Sequence, residues 1–248
     1  MISKKLVLIL SLCAAGSLVQ LQGAACVNTT FDVVLATNGG VCDIGAYTFS
    51  FGPFTIIGQS GVSTPPGGLT AADINFSTIQ DLNGTGFVLT PNVPFTAGPG
   101  SGNVDSELQY KVTSALASNL NSIYLKVAGT GTGTAFDHVL EQYCLGGTTL
   151  PPAGSGFCPG NQPTLAQNQL DASINDGFPS TANGSFANQT SIAILKDIDV
   201  NGGSSGTASL TAVYQQFGPS AVPEPGTYLL SFIGLGLMFL GGKKFSRS

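Results

Sequence analysis

Three short runs carry side chains that could do chemistry, and each demands a particular setting. Gly202-Gly203-Ser204-Ser205-Gly206 has the G-x-S-x-G spacing of a nucleophile elbow. That chemistry needs Ser204 on a strand–turn–helix corner and a histidine later in the chain. The only histidine, His138, comes before it, and the flanks read as strands, so a glycine-rich turn is expected. Asp197-Ile198-Asp199-Val200-Asn201-Gly202 begins like a calcium loop, with oxygen ligands at alternate positions and a glycine sixth. The twelfth position should hold a bidentate acid and is Ala208, so acids running into a turn are expected instead. Asp137-His138 pairs a base with a carboxylate, but a single histidine in a strand needs no catalytic role. No catalytic, cofactor or metal residues are therefore expected, and the chain reads as a non-enzyme.

The cysteines are more informative. Cys13 lies in an apolar N-terminal run, leaving Cys26, Cys42, Cys144 and Cys158. An even number in an exported chain reads as disulfides. No C-x-x-C is present, and one histidine does not complete a zinc set. Three connectivities are possible; the local pairs Cys26–Cys42 and Cys144–Cys158 are preferred because each closes a short glycine-rich loop. A lipidated Cys26 would follow Gly23-Ala24-Ala25 but lacks the leucine three places upstream.

Charge narrows the partners. Residues 26–221 hold three lysines, no arginine, ten aspartates and two glutamates, a net charge of −9. Phosphate backbones demand Lys and Arg, so nucleic acid is excluded as a partner. The 34 glycines, with many Ser, Thr and Asn, suit an extracellular β-protein. There is no tryptophan on which a sugar could stack, and the six tyrosines are scattered; a glycan- or calcium-binding adhesive module is the alternative reading, and a secreted enzyme a further one.

The elements that would position these residues follow from periodicity. Phe31–Ala36, Tyr47–Phe51, Phe54–Ile57 and Gly86–Thr90 read as short strands, with a turn at Asn38-Gly39-Gly40. Gly58–Ile74 and Pro91–Asn103 read as loops. Leu108, Tyr110 and Val112 alternate with Gln109, Lys111 and Thr113; Ile123, Leu125 and Val127 alternate with Tyr124 and Lys126. A period of two means strands with one buried and one wet face. Residues 135–143 fit either period and are taken as a strand; Leu165–Ile174 suggests a short helix. Ser191–Val200 and Thr207–Phe217 are expected to form a hairpin around Gly202–Gly206, with Ile192, Ile194, Ile198 and Val200 on one face interrupted by Lys196. Eight or nine strands with Gly/Pro turns predict an antiparallel β-sandwich.

Both ends read as addresses. Lys4-Lys5 followed by Leu6–Ala15, and then Gly23-Ala24-Ala25, predicts a signal peptide helix over residues 1–25, cut by signal peptidase. The body is 26–221. Val222-Pro223-Glu224-Pro225 precedes fifteen uncharged residues, Tyr228 to Gly242, and then Lys243, Lys244 and Arg247. As a helix those fifteen span about 22 Å, against a hydrocarbon core of about 30 Å. The basic residues belong on the cytoplasmic side, which puts the body outside the inner membrane. This order of motif, single transmembrane helix and basic end over residues 222–248 resembles the PEP-CTERM sorting signal of Gram-negative bacteria.

The resemblance implies an exosortase-type membrane peptidase as partner and a transient membrane anchor. It also implies a final cell-surface or extracellular place in or on the exopolysaccharide matrix. The basic end is sparser than the tight arginine cluster of many members. Many secreted members of the group are similar to the predicted sandwich, including some with a Lys-Asp-Ile stretch before a Gly/Ser turn.

Overall fold

A computed structural model describes residues 24–61, 63–64, 69–100, 102–114, 120–151 and 167–218. The signal segment before residue 24 and the whole C-terminal tail lie outside these residues. No helix among the described residues is long and apolar enough to cross a membrane.

In chain order the elements begin with β1 (Thr29–Thr30), α1 (Phe31–Ala36), β2 (Val41–Ile44), β3 (Tyr47–Ser60) and β4 (Ser63–Thr64). Next come β5 (Ile74–Asp81), β6 (Gly84–Pro91), β7 (Phe95–Ala97), β8 (Asn103–Ser114) and β9 (Leu120–Gly131). The last five are β10 (Phe136–Leu145), β11 (Gln167–Ile174), β12 (Thr181–Gln189), β13 (Ser191–Asn201) and β14 (Ala208–Phe217).

These strands build two antiparallel sheets. The first has six, in the order β11-β10-β13-β8-β3-β2. The second has eight: β12 and β9 lie on one side of β14, while β6-β5-β1 and the short β7-β4 share its other side. The mostly β architecture of the sequence reading is present. The single wet face also holds for β9, where Ile123, Leu125 and Val127 are buried and Tyr124 and Lys126 are not.

The space between the sheets is filled by aromatic rings. Phe51 stands 5.3 Å from Phe87, 5.5 Å from Phe76 and 5.4 Å from Phe31. Tyr110 and Phe217 extend the cluster. Full burial of one such ring contributes about 1.5–3 kcal/mol, so the cluster is the main apolar weight of the core. It also explains a departure from expectation. Phe31–Ala36 looks like a strand because of its Val-Val-Leu run, yet it forms α1. A helix lets Phe31 and Val34 reach the core from one side, and that tertiary gain overrides a weak local propensity. The turn after it is as expected: Asn38, Gly39 and Gly40 have φ of 50°, 65° and 78°.

Four further corrections follow. The segment read as a possible helix is strand β11, because its backbone completes the edge of the first sheet beside β10. Tyr47–Phe51 and Phe54–Ile57 are one strand, β3, bent by irregularities after Phe51 and Ile56. The expected loops contain β4 and β7, both too short to leave a periodic signal. Most consequentially, β13 and β14 are not a hairpin. β13 pairs with β10 and β8 in the first sheet, whereas β14 pairs with β9, β6 and β7 in the second. The Gly202–Gly206 turn therefore crosses from one sheet to the other. That crossing sets the inner face of β13 against the inner face of β14.

Candidate functional site

Along β13 the inward residues are Ile192, Ile194, Lys196, Ile198 and Val200, and every one is buried. The interruption noticed in the sequence is thus a lysine in the core, with 0 % of its side chain exposed. Its register partner on β10 is Glu141, also 0 % exposed, and the two form an ion pair. From the opposite sheet, Gln215 on β14 accepts a hydrogen bond of 2.7 Å from Lys196 Nζ through Oε1. Tyr110 on β8 donates to Glu141 Oε2 at 3.4 Å. The four residues form a closed polar island inside an apolar layer. Burial lowers the Lys196 pKa, and the Glu141 carboxylate opposes that shift. Burial raises the Tyr110 phenol well above its ordinary value, with Glu141 adding to the effect. Two atoms of the island have no hydrogen-bond partner among the described residues: Glu141 Oε1 and Gln215 Nε2. Just beside it, β6 and β14 run so close that a β-carbon on Gly86 would lie 1.8 Å from the Gln215 carbonyl oxygen.

Glu141 was missed at the sequence level, although its signal was present. A period of two through Val139, Glu141 and Tyr143 puts the carboxylate on the buried face, as the structure shows. What the chain order could not supply was its juxtaposition with Lys196, 55 residues further on, and with Gln215, 19 residues beyond that lysine.

The outer face of the first sheet holds the acids of the calcium-like run. Asp197 is in register with Glu107, and Asp199 with Asp105. Burial, together with the Asp105 charge and a hydrogen bond that the protonated Asp197 carboxyl donates to Asp105, raises Asp197 to about 7. Burial and Asp105 raise Asp199 to about 6. Gly146–Pro151 packs onto this face: Lys111 Nζ donates to the Thr148 carbonyl at 3.1 Å, and Glu107 and Gln109 are buried. The expected wet face of β8 is consequently only partly wet. Among the described residues no group of three or more His, Cys, Asp or Glu side chains is arranged to hold a metal ion.

His138 does not pair with Asp137. Its Nε2 lies 3.2 Å from Asp171 Oδ1 and its Nδ1 3.8 Å from Asp176 Oδ2, with the ring stacked on Phe178. Ser173, its register neighbour on β11, spends its hydroxyl on the Phe178 carbonyl instead. Ser204 sits in the inter-sheet turn, 3.2 Å from Thr134 Oγ1, as a turn residue should.

Cys26 and Cys42 form the expected disulfide, enclosing β1 and α1 in the loop between them. The same bond occupies the thiol that the lipoprotein reading requires. Cys144 at the end of β10 is also disulfide-bonded, and its expected partner Cys158 lies outside the described residues. So do Val222, Pro223, Glu224, Pro225, Lys243, Lys244 and Arg247.

Comparison with protein families matches the PEP-CTERM protein-sorting motif at residues 221–247. Curated proteins give no match. Among solved structures, the chain is similar to TmCBM61, solved in complex with beta-1,4-galactotriose, at 10 % identity and a TM-score of 0.29. That match covers 66 % of this chain and 88 % of the other. A Glycosylation Associate Protein (Gap123) complex from Streptococcus agalactiae follows at 10 % identity and TM-score 0.27, covering 62 % and 26 %. The enzymatically active domain of tailspike protein 4 from Bacteriophage CBA120 gives 12 % identity and TM-score 0.24, covering 70 % and 19 %.

Proposed function

We propose that this chain is an exported, non-enzymatic surface protein of the extracellular polysaccharide matrix. It carries a C-terminal PEP-CTERM protein-sorting motif, and that match is the observation on which the reading rests. The motif implies processing by an exosortase-type peptidase. In this reading the apolar run after Pro225 holds the body at the inner membrane until the tail is cut. A run of about 22 Å as a helix is short for a lasting anchor, which suits a temporary one. Pro-Glu-Pro cannot join a regular ladder and keeps its neighbours extended, so it offers a peptidase a stiff strip beside the membrane.

Replacing Pro223, Glu224 and Pro225 by alanine should leave full-length protein in the inner-membrane fraction. The wild-type protein at its destination should end near Val222–Thr227 and lack Tyr228–Ser248. Mass spectrometry of the C-terminal peptide decides the matter: recovery of Lys243–Ser248 on the surface protein refutes sorting by tail removal.

A further inference from the structure

The geometry points to an intramolecular amide bond between the Lys196 side chain and the Gln215 carboxamide, formed with Glu141 as proton carrier and joining the two sheets covalently.

The reacting atoms are already together. Lys196 Nζ is 2.7 Å from Gln215 Oε1, and a carbonyl bond is about 1.23 Å long. The nitrogen is therefore no more than about 3.9 Å from the carboxamide carbon, close to the about 3–3.5 Å of a near-attack arrangement. Lys196, Glu141 and Gln215 are all buried to 0 % exposure, so water neither solvates the nucleophile nor competes with it. Burial also lowers the lysine pKa, which favours the neutral amine that attacks.

The step balances without an added reagent. Glu141 Oε2 takes a proton from the Lys196 ammonium. The neutral nitrogen adds to the Gln215 carboxamide carbon, giving a tetrahedral centre. The Glu141 carboxyl then gives a proton to the carboxamide nitrogen and takes one from the attacking nitrogen. The bond between the carbon and Nε2 breaks and the amide carbonyl re-forms. Ammonia takes the remaining proton from Glu141 and leaves as ammonium, so the carboxylate is regenerated. The net change turns one lysine ammonium and one carboxamide into one secondary amide and one ammonium ion.

Two atoms of the reacting groups are left without hydrogen bonds among the described residues. Glu141 Oε1 has no hydrogen bond to Gln215 Nε2 or to any other described group, so the carboxylate must turn to deliver the proton taken from Lys196 to the leaving nitrogen. Gln215 Nε2, the leaving nitrogen, is a buried donor without an acceptor. Such a group is costly to keep, and departure as ammonium removes it. Tyr110 anchors the other carboxylate oxygen. Condensation of Lys196 with Glu141 itself would expel water, and would consume the only carboxyl in the island. Glutamine is the better acyl donor here because it leaves the proton carrier intact.

Peptide mapping of the full-length protein purified from cells tests the bond. Cleavage before the aspartates separates Lys196 from Asp197 and Ile198 from Asp199, so the two residues fall in different peptides. After disulfide reduction these peptides should appear joined, lighter than their sum by one ammonia, and trypsin should not cut after Lys196. Separate peptides of unaltered mass overturn the proposal, as does a Lys196–Glu141 product lighter by one water. In Glu141→Gln the joined species should disappear, read only from protein that keeps the Cys26–Cys42 disulfide and a β-sheet circular dichroism spectrum. Linkage that persists in that folded fraction removes Glu141 from the mechanism. If the variant does not fold, the wild-type map still decides whether the bond exists.

Discussion

Asp137 and His138 are consecutive residues of β10 that face opposite ways. The aspartate points into the core with no exposed surface, and the histidine stands on the outer face between Asp171 and Asp176. A strand imposes this on any two adjacent residues. It dismantles the base-and-carboxylate reading of the sequence and replaces it with a different feature, a buried acid without partners. Neither Asp137 oxygen has a hydrogen bond among the described residues.

Burial, reinforced by Asp199, raises the Asp137 pKa from 3.8 to about 7. The folded state then holds a proton that the unfolded state releases between about pH 4 and pH 7. Stability is greatest at the acid end of that window and falls as pH rises through it. Asp137→Asn, which mimics the protonated acid, should raise stability at pH 8 by up to about 4 kcal/mol and change little at pH 4. Denaturant unfolding of both proteins at the two pH values checks this; equal effects at both would contradict the shifted acid.

Asp197 and Asp199 act in the same direction from the outer face, raised to about 7 and about 6. Like charges on adjacent strands destabilise, and here each acid meets Asp105. Asp197→Asn should raise the melting temperature at pH 8 and flatten its decline between pH 5 and pH 8. A steeper pH profile in the variant would mean that the carboxylate was paired favourably.

Those acids also allow a direct test for cations. A ligand that binds only the folded state raises stability with its concentration. Because the described acids do not converge as a metal-holding group and Ala208 stands where a closing acid belongs, chelation should leave the melting temperature essentially unchanged. An increase of several degrees on adding millimolar calcium would show a site on this face.

The Cys26–Cys42 bridge spans 16 residues. In the chain-entropy view such a loop contributes about 3 kcal/mol. It also holds α1, and with it Phe31, against the aromatic cluster. Cys26→Ser with Cys42→Ser should lower stability by about that amount, with hydrogen exchange rising first in residues 31–36. Unaltered stability, or a map linking Cys26 to Cys144, would refute this arrangement.

The C-terminal sorting motif and much of the local structure are legible in contiguous residues. Pro-Glu-Pro, the apolar run and the basic end are contiguous, so their order can be read without a fold. Alternation in β8 and β9 is equally local, since a period of two assigns faces whatever lies alongside, whereas residues 135–143 fit a helical period as well. The nearby Cys26–Cys42 pair was legible for the same reason. Tertiary structure decided which faces meet. Phe31–Ala36 became a helix and 167–174 a strand because neighbours distant in the chain offered a core or a sheet edge. The glycine turn after β13 suits a hairpin and an inter-sheet crossing equally well, and only the strands already flanking β13 and β14 exclude the hairpin. That exclusion carries Gln215 to Lys196, while β10, pairing from the other side, delivers Glu141. A polar group's partner in a β-sandwich depends on sheet order and register, and long-range packing sets both.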